Sequence, residues 1–343
     1  MRLLVRMPNW LGDIVMAIWA VDAALSRLDQ PTLEVICRPQ FRELFSLWPV
    51  VKAVHTTGSS RGLTGVLRPS PELVALSKEN FDCVALLTNS LGSAVELRSA
   101  GIHGLCGYKT DGRSLLLSRS LPRPGWEKQR HIFFYYLDLL QMCTGTRGEL
   151  PSELPLVPPL LKLPQISANS LAIAGISDRI DGGYAVLATG AAFGPAKQWT
   201  PEKYAEVVRA VHRASGLPFL LVGNRSDSEF AKEVSAQCGN RCLDITGQTT
   251  LLEAVALFAG SLGFIGNDSG LMHLAAMTGV PTLGIFLSTD TERTSPLGPH
   301  VACVTADVPC RPCFRRECDR GYHCRKAVDP DTVASRFLAL MCL

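Results

Sequence analysis

Short apolar runs alternate with longer amphipathic runs through one half of the chain, stop, and then start again through the other half. Such alternation builds a parallel sheet covered by helices, because each buried strand needs a crossover to return to the same edge. In the first half it predicts strands at Leu3–Met7, Leu33–Cys37, Lys52–Thr56, Phe81–Thr88 and Gly104–Tyr108. Helices are predicted there at Asp13–Leu25, Phe41–Leu47, Pro71–Lys78 and His131–Met142. Between Gly148 and Ser170 the pattern lapses; the stretch ELPSELPLVPPLLKLP is proline-rich, has no helical period and reads as an extended linker. The second half predicts strands at Tyr184–Ala188, Pro218–Val222, Cys242–Ile245, Gly263–Gly266 and Thr282–Phe286. Its helices are predicted at Pro201–Ala214, Ser226–Gln237, Leu251–Ala259, Ser269–Met277 and Pro330–Met341. The fold class is therefore α/β, with two doubly wound, Rossmann-like domains, residues 1–160 and 161–343. Ligands bind at the carboxyl ends of such strands, and two halves of this kind are expected to face a central cleft. Architecture alone does not choose a reaction.

The 343 residues suit two domains of about 150 each. A charged content of 19% argues against long disorder, and a net charge of +3 is too weak to point to nucleic acid. The opening MRLLVRMPNWLGDIVMAIWA superficially resembles a signal peptide, but Pro8, Asn9, Gly12 and Asp13 interrupt its apolar run. No stretch approaches the roughly 18 apolar residues of a membrane span. A cytoplasmic protein is expected, with peripheral contact at the inner-membrane cytoplasmic face left open.

Three strand-to-helix loops carry candidate chemistry. The first, Pro8-Asn9-Trp10-Leu11-Gly12-Asp13, follows the opening strand and puts a carboxylate at its C-terminal end. Asp13 is read either as a helix cap or as a general base toward an acceptor hydroxyl. The loop lacks the glycines of a dinucleotide fingerprint. The second loop, Thr189 to Trp199, is rich in small residues that let backbone approach a ligand. Lys197 offers a point charge for a phosphate oxygen and Thr189 a hydroxyl. In the third, Gly266-Asn267-Asp268-Ser269-Gly270-Leu271-Met272-His273, an apolar run ends abruptly and a helix begins. Asp268 or Ser269 is expected to cap that helix, whose free amides around Ser269 and Gly270 would then suit a diphosphate. His273 lies one turn further, either in the core or facing the ligand.

These segments together resemble glycosyltransferase family 9, the ADP-heptose heptosyltransferases. The resemblance rests on LLVRMPNWLGDIVMA, TGAAFGPAKQWTPEKYAE and NDSGLMHLAAMTGVPTLGIF. FDCVALLTNSLGSAVELRSAGIHGLCGY resembles the family's first domain, and CRPCFRRECDRGYHC the tail of its second-heptose enzymes. It implies a GT-B fold with an N-terminal acceptor-binding domain and a C-terminal ADP-sugar-binding domain. It also implies inverting transfer of heptose from ADP-L-glycero-D-manno-heptose to the lipopolysaccharide inner core, as the second heptose on heptosyl-Kdo-lipid A. By carry-over, Asp13 is the catalytic base, and Thr189, Lys197, Asp268, Ser269, Gly270 and His273 hold the donor. A different acceptor within the family, or a GT-B nucleotide-sugar epimerase, are the alternatives. No Asp-x-Asp pair falls in these loops, so no metal cofactor is expected in catalysis.

Twelve cysteines are present. Cys310, Cys313, Cys318 and Cys324 are spaced C-x2-C-x4-C-x5-C within a segment, 303–326, that also holds Cys303. This is the pattern of a structural zinc site, of redox-sensitive disulfides or of plain reduced thiols. A non-enzymatic metal or nucleic-acid module would also be built on this segment. Arg315 and Arg316 here, with Arg113, Arg119 and Lys128 in the first domain, are candidate contacts to acceptor carboxylates or phosphates.

Overall fold

The computed structural model describes residues 1–57, 67–146, 148–165 and 182–342. Part of the expected linker, 166–170, lies outside them. The chain forms two compact units, Met1–Leu154 with Pro159–Lys162, and Pro155–Pro158 with Leu163–Leu343.

In the first unit the elements run β1 (Arg2–Arg6), α1 (Leu11–Leu25), β2 (Thr32–Cys37), β3 (Val51–Thr56), α2 (Pro71–Leu76), β4 (Cys83–Leu86), α3 (Leu91–Ser99), β5 (Leu105–Tyr108), β6 (Arg119–Leu121) and α4 (Ile132–Thr144). All strand pairs are parallel and the order is β3-β2-β1-β4-β5-β6, the doubly wound arrangement whose switch point lies between β1 and β4. The expected helix Phe41–Leu47 is instead part of a 3-10 stretch, Pro39–Leu47. α3 and β6 carried no pattern: LGSAVELRS mixes small and polar residues, and RSL is a three-residue edge strand. α4 is apolar on nearly every side, including Phe133, Phe134, Tyr135 and Tyr136, and is buried accordingly; Gly145, at φ 75°, ends it in the left-handed region.

The second unit runs β7 (Ala185–Ala188), α5 (Pro201–Ser215), β8 (Phe219–Leu221), α6 (Ser228–Cys238), β9 (Cys242–Asp244), α7 (Leu251–Ala259), β10 (Gly263–Asn267), α8 (Gly270–Met277), β11 (Thr282–Phe286), α9 (Thr291–Thr294), β12 (Val301–Thr305), α10 (His323–Ala327) and α11 (Pro330–Leu340). Its parallel order, β12-β11-β10-β7-β8-β9, repeats the first topology and puts its switch point between β7 and β10. The helix starts are written locally. Thr200 accepts from the Lys203 amide ahead of Pro201, and Thr250 with Glu253 forms a capping box. The core gathers Trp199, Tyr204, Phe219 and Phe337 against the sheet. Among the described residues no helix is long and apolar enough to cross a membrane.

Candidate functional site

In the second unit the loops after β7 and β10 leave adjacent strands at the switch point, with Ala188 and Gly266 in register. One side chain ties them together. Asn267, the last residue of β10, is fully buried and donates through Nδ2 to the Thr189 carbonyl at 2.9 Å. Its Oδ1 accepts from the Tyr204 hydroxyl, which rises from α5. Gln198 Nε2 donates to the same Thr189 carbonyl at 3.2 Å. The Thr189 backbone is thus held from two directions, and its side chain is buried.

Lys197 reaches from the first loop to the second, donating to Asp268 Oδ2 at 2.6 Å and to the Asp268 carbonyl at 3.3 Å. The His273 Nε2 lies 3.7 Å from the other carboxylate oxygen, an electrostatic contact rather than a hydrogen bond. Burial pushes the Asp268 carboxyl up, but attraction to His273 and Lys197 outweighs it and holds the group down at about 2. The Lys197 ammonium is therefore already paired with a fully ionised carboxylate.

The expected cap is absent. Ser269 occupies the N-cap position of α8, yet neither its hydroxyl nor Asp268 caps the helix: Asp268 is engaged by Lys197, and Ser269 Oγ is buried without a partner. His273 Nδ1 is likewise buried and unpartnered. The positive end of α8 stays open, with two unsatisfied polar groups beside it. Thr189, Lys197, Asp268, Ser269, Gly270 and His273 all come together at this strand edge.

Four further residues shape this strand edge. Asn267, Tyr204 and Gln198 position the loops. Asp227, placed by the turn after β8, is pushed up by burial and accepts from the Asn224 amide at 3.0 Å. It lies directly against Gly190: a Cβ there would sit 2.7 Å from Asp227 Cγ. Because Asp227 belongs to a capping box, it cannot withdraw cheaply. Gly190→Ala is expected to cost about 1–3 kcal/mol through overpacking; thermal unfolding of the variant checks it.

The Cys-rich segment abuts this loop. The Ala196 amide donates to the Arg316 carbonyl at 2.9 Å, Arg325 Nη2 to the Pro195 carbonyl at 2.7 Å, and the Trp199 indole to the Arg325 carbonyl at 3.0 Å. Gly194, at φ 152°, allows this approach, since a Cβ there would meet the Arg316 carbonyl oxygen at 2.6 Å. The expected metal set is corrected. Cys310, Cys313, Cys318 and Cys324 line one small cavity, but no three of their sulfurs lie within 4.8 Å of one another. Cys318 Sγ accepts from the Arg320 and Tyr322 amides, and Cys324 packs into the hydrophobic core. The segment instead buttresses the Lys197 loop. Arg315 is exposed and paired with Asp319, and Arg316 lies over the Phe193 ring at 5.4 Å.

In the first unit, Asp13 stands third in α1, half-buried in its first turn; the N-cap position belongs to Trp10. Asp13 is therefore not the N-cap residue, and it lies beside the positive helix end at the C-terminal edge of β1. Arg113 is a second correction. Rather than reaching out for an acceptor, it is fully buried: Nε donates to the Tyr108 carbonyl at 3.0 Å, Nη1 to that of Thr88, and Nη2 packs on Gly107. The left-handed turn at Gly112 folds it back onto the ends of β4 and β5. Arg119 and Lys128 are exposed. Arg6, at the end of β1, is buried with Nε unpartnered and is lowered to about 10 by burial, so it remains a cation at neutral pH.

Comparison with known proteins gives the family. The model for glycosyltransferase family 9 (heptosyltransferase) matches residues 74–323. The chain is similar to lipopolysaccharide heptosyltransferase 2 of Escherichia coli strain K12, 27% identical over 335 residues that cover 94% of this chain and 93% of the relative. It is similar to lipooligosaccharide heptosyltransferase 2 of Haemophilus ducreyi at 25% over 362 residues, covering 99% of each. The solved structure of the E. coli ADP-heptose LPS heptosyltransferase II superposes with a TM-score of 0.79 at 24% identity, covering 100% of this chain and 99% of that one. A family 9 glycosyltransferase from Veillonella parvula superposes at 0.82 with 16% identity, covering 99% and 97%. The two parallel sheets are thus the Rossmann-like domains of the GT-B architecture, and the chain belongs to glycosyltransferase family 9.

Proposed function

We propose that this chain transfers heptose, with inversion, from ADP-heptose to the lipopolysaccharide inner core, adding the second heptose to heptosyl-Kdo-lipid A. The observation that carries this reading is the open N-terminus of α8, with the unpartnered Ser269 hydroxyl and the Lys197 ammonium at one strand edge. Amides, hydroxyl and cation there suit a diphosphate. Full-length similarity to curated second-heptose enzymes supports the substrate pair.

In the mechanism, Asp13 accepts the proton of the attacking acceptor hydroxyl as that proton becomes acidic. Negative charge grows on the departing ADP, and the α8 dipole, the Ser269 hydroxyl and Lys197 stabilise it more in the transition state than in the ground state. Asp268 orients Lys197, and Asn267 fixes the Thr189 backbone. Because these groups supply the positive charge, transfer is expected to persist in the presence of a divalent-metal chelator.

Purified chain supplied with ADP-heptose and heptosyl-Kdo-lipid A is expected to release ADP; release without acceptor, or none with it, sinks the reading. Truncated acceptors then define the position modified. Ser269→Ala isolates the donor half. An N-cap serine ordinarily contributes about 0.5–2 kcal/mol. Here the hydroxyl caps nothing, so the melting temperature is expected to hold, while ADP affinity falls about tenfold. A destabilised variant with normal ADP affinity would contradict this assignment.

A further inference from the structure

We propose that Cys83, Cys106 and Cys143, in the core of the first unit, form a three-thiolate site for one soft metal ion, with Cu(I) as the ion it suits best. The three Sγ atoms all lie within 4.8 Å of one another, and all three residues are buried. They come from three different elements: Cys83 opens β4, Cys106 is in β5, and Cys143 is near the end of α4. Thiolate–metal bonds of about 2.3 Å in a trigonal plane require sulfurs about 4 Å apart. The cluster meets that spacing with little movement, whereas the tetrad at Cys310–Cys324 does not.

Buried cysteines often pack simply as small apolar residues. Two features set this trio apart. First, its three sulfurs lie within 4.8 Å of one another although they come from three separate elements, while Cys106 Sγ also donates to the Gly104 carbonyl at 3.6 Å. Second, a cation stands beside them. Arg119 is in register with Cys106 on the adjacent strand β6, and its Nη1 donates to the Cys143 carbonyl at 3.2 Å. A metal ion would replace the thiol protons.

The choice of ion follows from the donor set. Among the described residues, no fourth His, Cys, Asp or Glu joins the group. Zinc in structural sites takes four ligands, whereas all-sulfur donors select soft ions such as Cu(I). Binding forms sulfur–copper bonds and releases the thiol protons to solvent; no electron is exchanged. Three thiolates and one Cu(I) carry two net negative charges, and the Arg119 guanidinium beside them offsets one of the two. The bound ion would pin the end of α4 to β4 and β5.

The test is titration of the full-length reduced chain with Cu(I) held by a competing chelator. The Cys106→Ser and Cys83→Ala variants are expected to bind one equivalent fewer than wild type, with unchanged far-ultraviolet circular dichroism. Peptide-resolved hydrogen exchange on the wild-type chain needs no variant. One equivalent of Cu(I) is expected to slow exchange around Cys83, Cys106 and Cys143. Equal stoichiometry in all three proteins, or slowing confined to residues 303–326, overturns the proposal.

Discussion

Asp13→Asn is expected to cut the rate of heptose transfer by about 10²–10⁴-fold, the usual contribution of a positioned general base. ADP affinity is expected to stay at the wild-type value. The substitution preserves shape but removes the negative charge and, with it, the ability to accept a proton. Asp13 sits in the first turn of α1, where the helix dipole favours the ionised form. Tyr136 is close enough that, after burial, the Asp13 charge is the next largest cause holding its hydroxyl protonated. Single-turnover transfer measured beside ADP titration separates the two effects. A variant that transfers normally would remove Asp13 from the chemistry; one that loses ADP affinity as well would point to a structural role.

The second large effect concerns Asp268. Asp268→Asn leaves the Lys197 ammonium without its carboxylate, and breaking a buried pair from one side costs about 3–5 kcal/mol. The lower end is expected, because Lys197 is 15% exposed and can turn toward solvent. Catalysis should fall too, since Lys197 loses the partner that aims it. The pH dependence has a definite sign. Asp268 is depressed in the folded state to about 2, from the ordinary 3.8. The stability it contributes is therefore fully present above about pH 4 and is lost as pH falls through the folded value. Wild type should lose this increment between about pH 4 and 2, whereas Asp268→Asn should be less stable at neutral pH and flatter across that window. Thermal melts of both proteins over this range decide it; parallel curves would show that the pair contributes nothing.

Much of this enzyme can be read from local pattern. The alternation of apolar and amphipathic runs reports strand and helix because burial imposes its period on each element separately. The strand at Thr282–Phe286 and the helix at Leu251–Ala259 coincide with their predicted limits. The candidate donor loops were visible for the same reason: small residues, a lysine and an Asn-Asp-Ser-Gly turn stand where a strand yields to a helix. The elements missed are α3 and the short edge strand β6, which lack such a period, together with β12 and the short helices α9 and α10.

Pairing between distant residues lies beyond local pattern. Whether Ser269 caps its helix depends on what already holds Asp268, and that is Lys197, 71 residues away. Arg113 looks like any surface arginine until the fold turns it inward onto carbonyls of two strands. The Cys310–Cys324 spacing looked like a metal set, while the three sulfurs that do converge are far apart in the chain and share no motif. A residue's chemical type and its element follow from its neighbours in sequence. Its ionisation, its partner and the ion it could hold follow from groups brought alongside by topology, because hydrogen bonds and charge–charge forces act through space over a few ångströms.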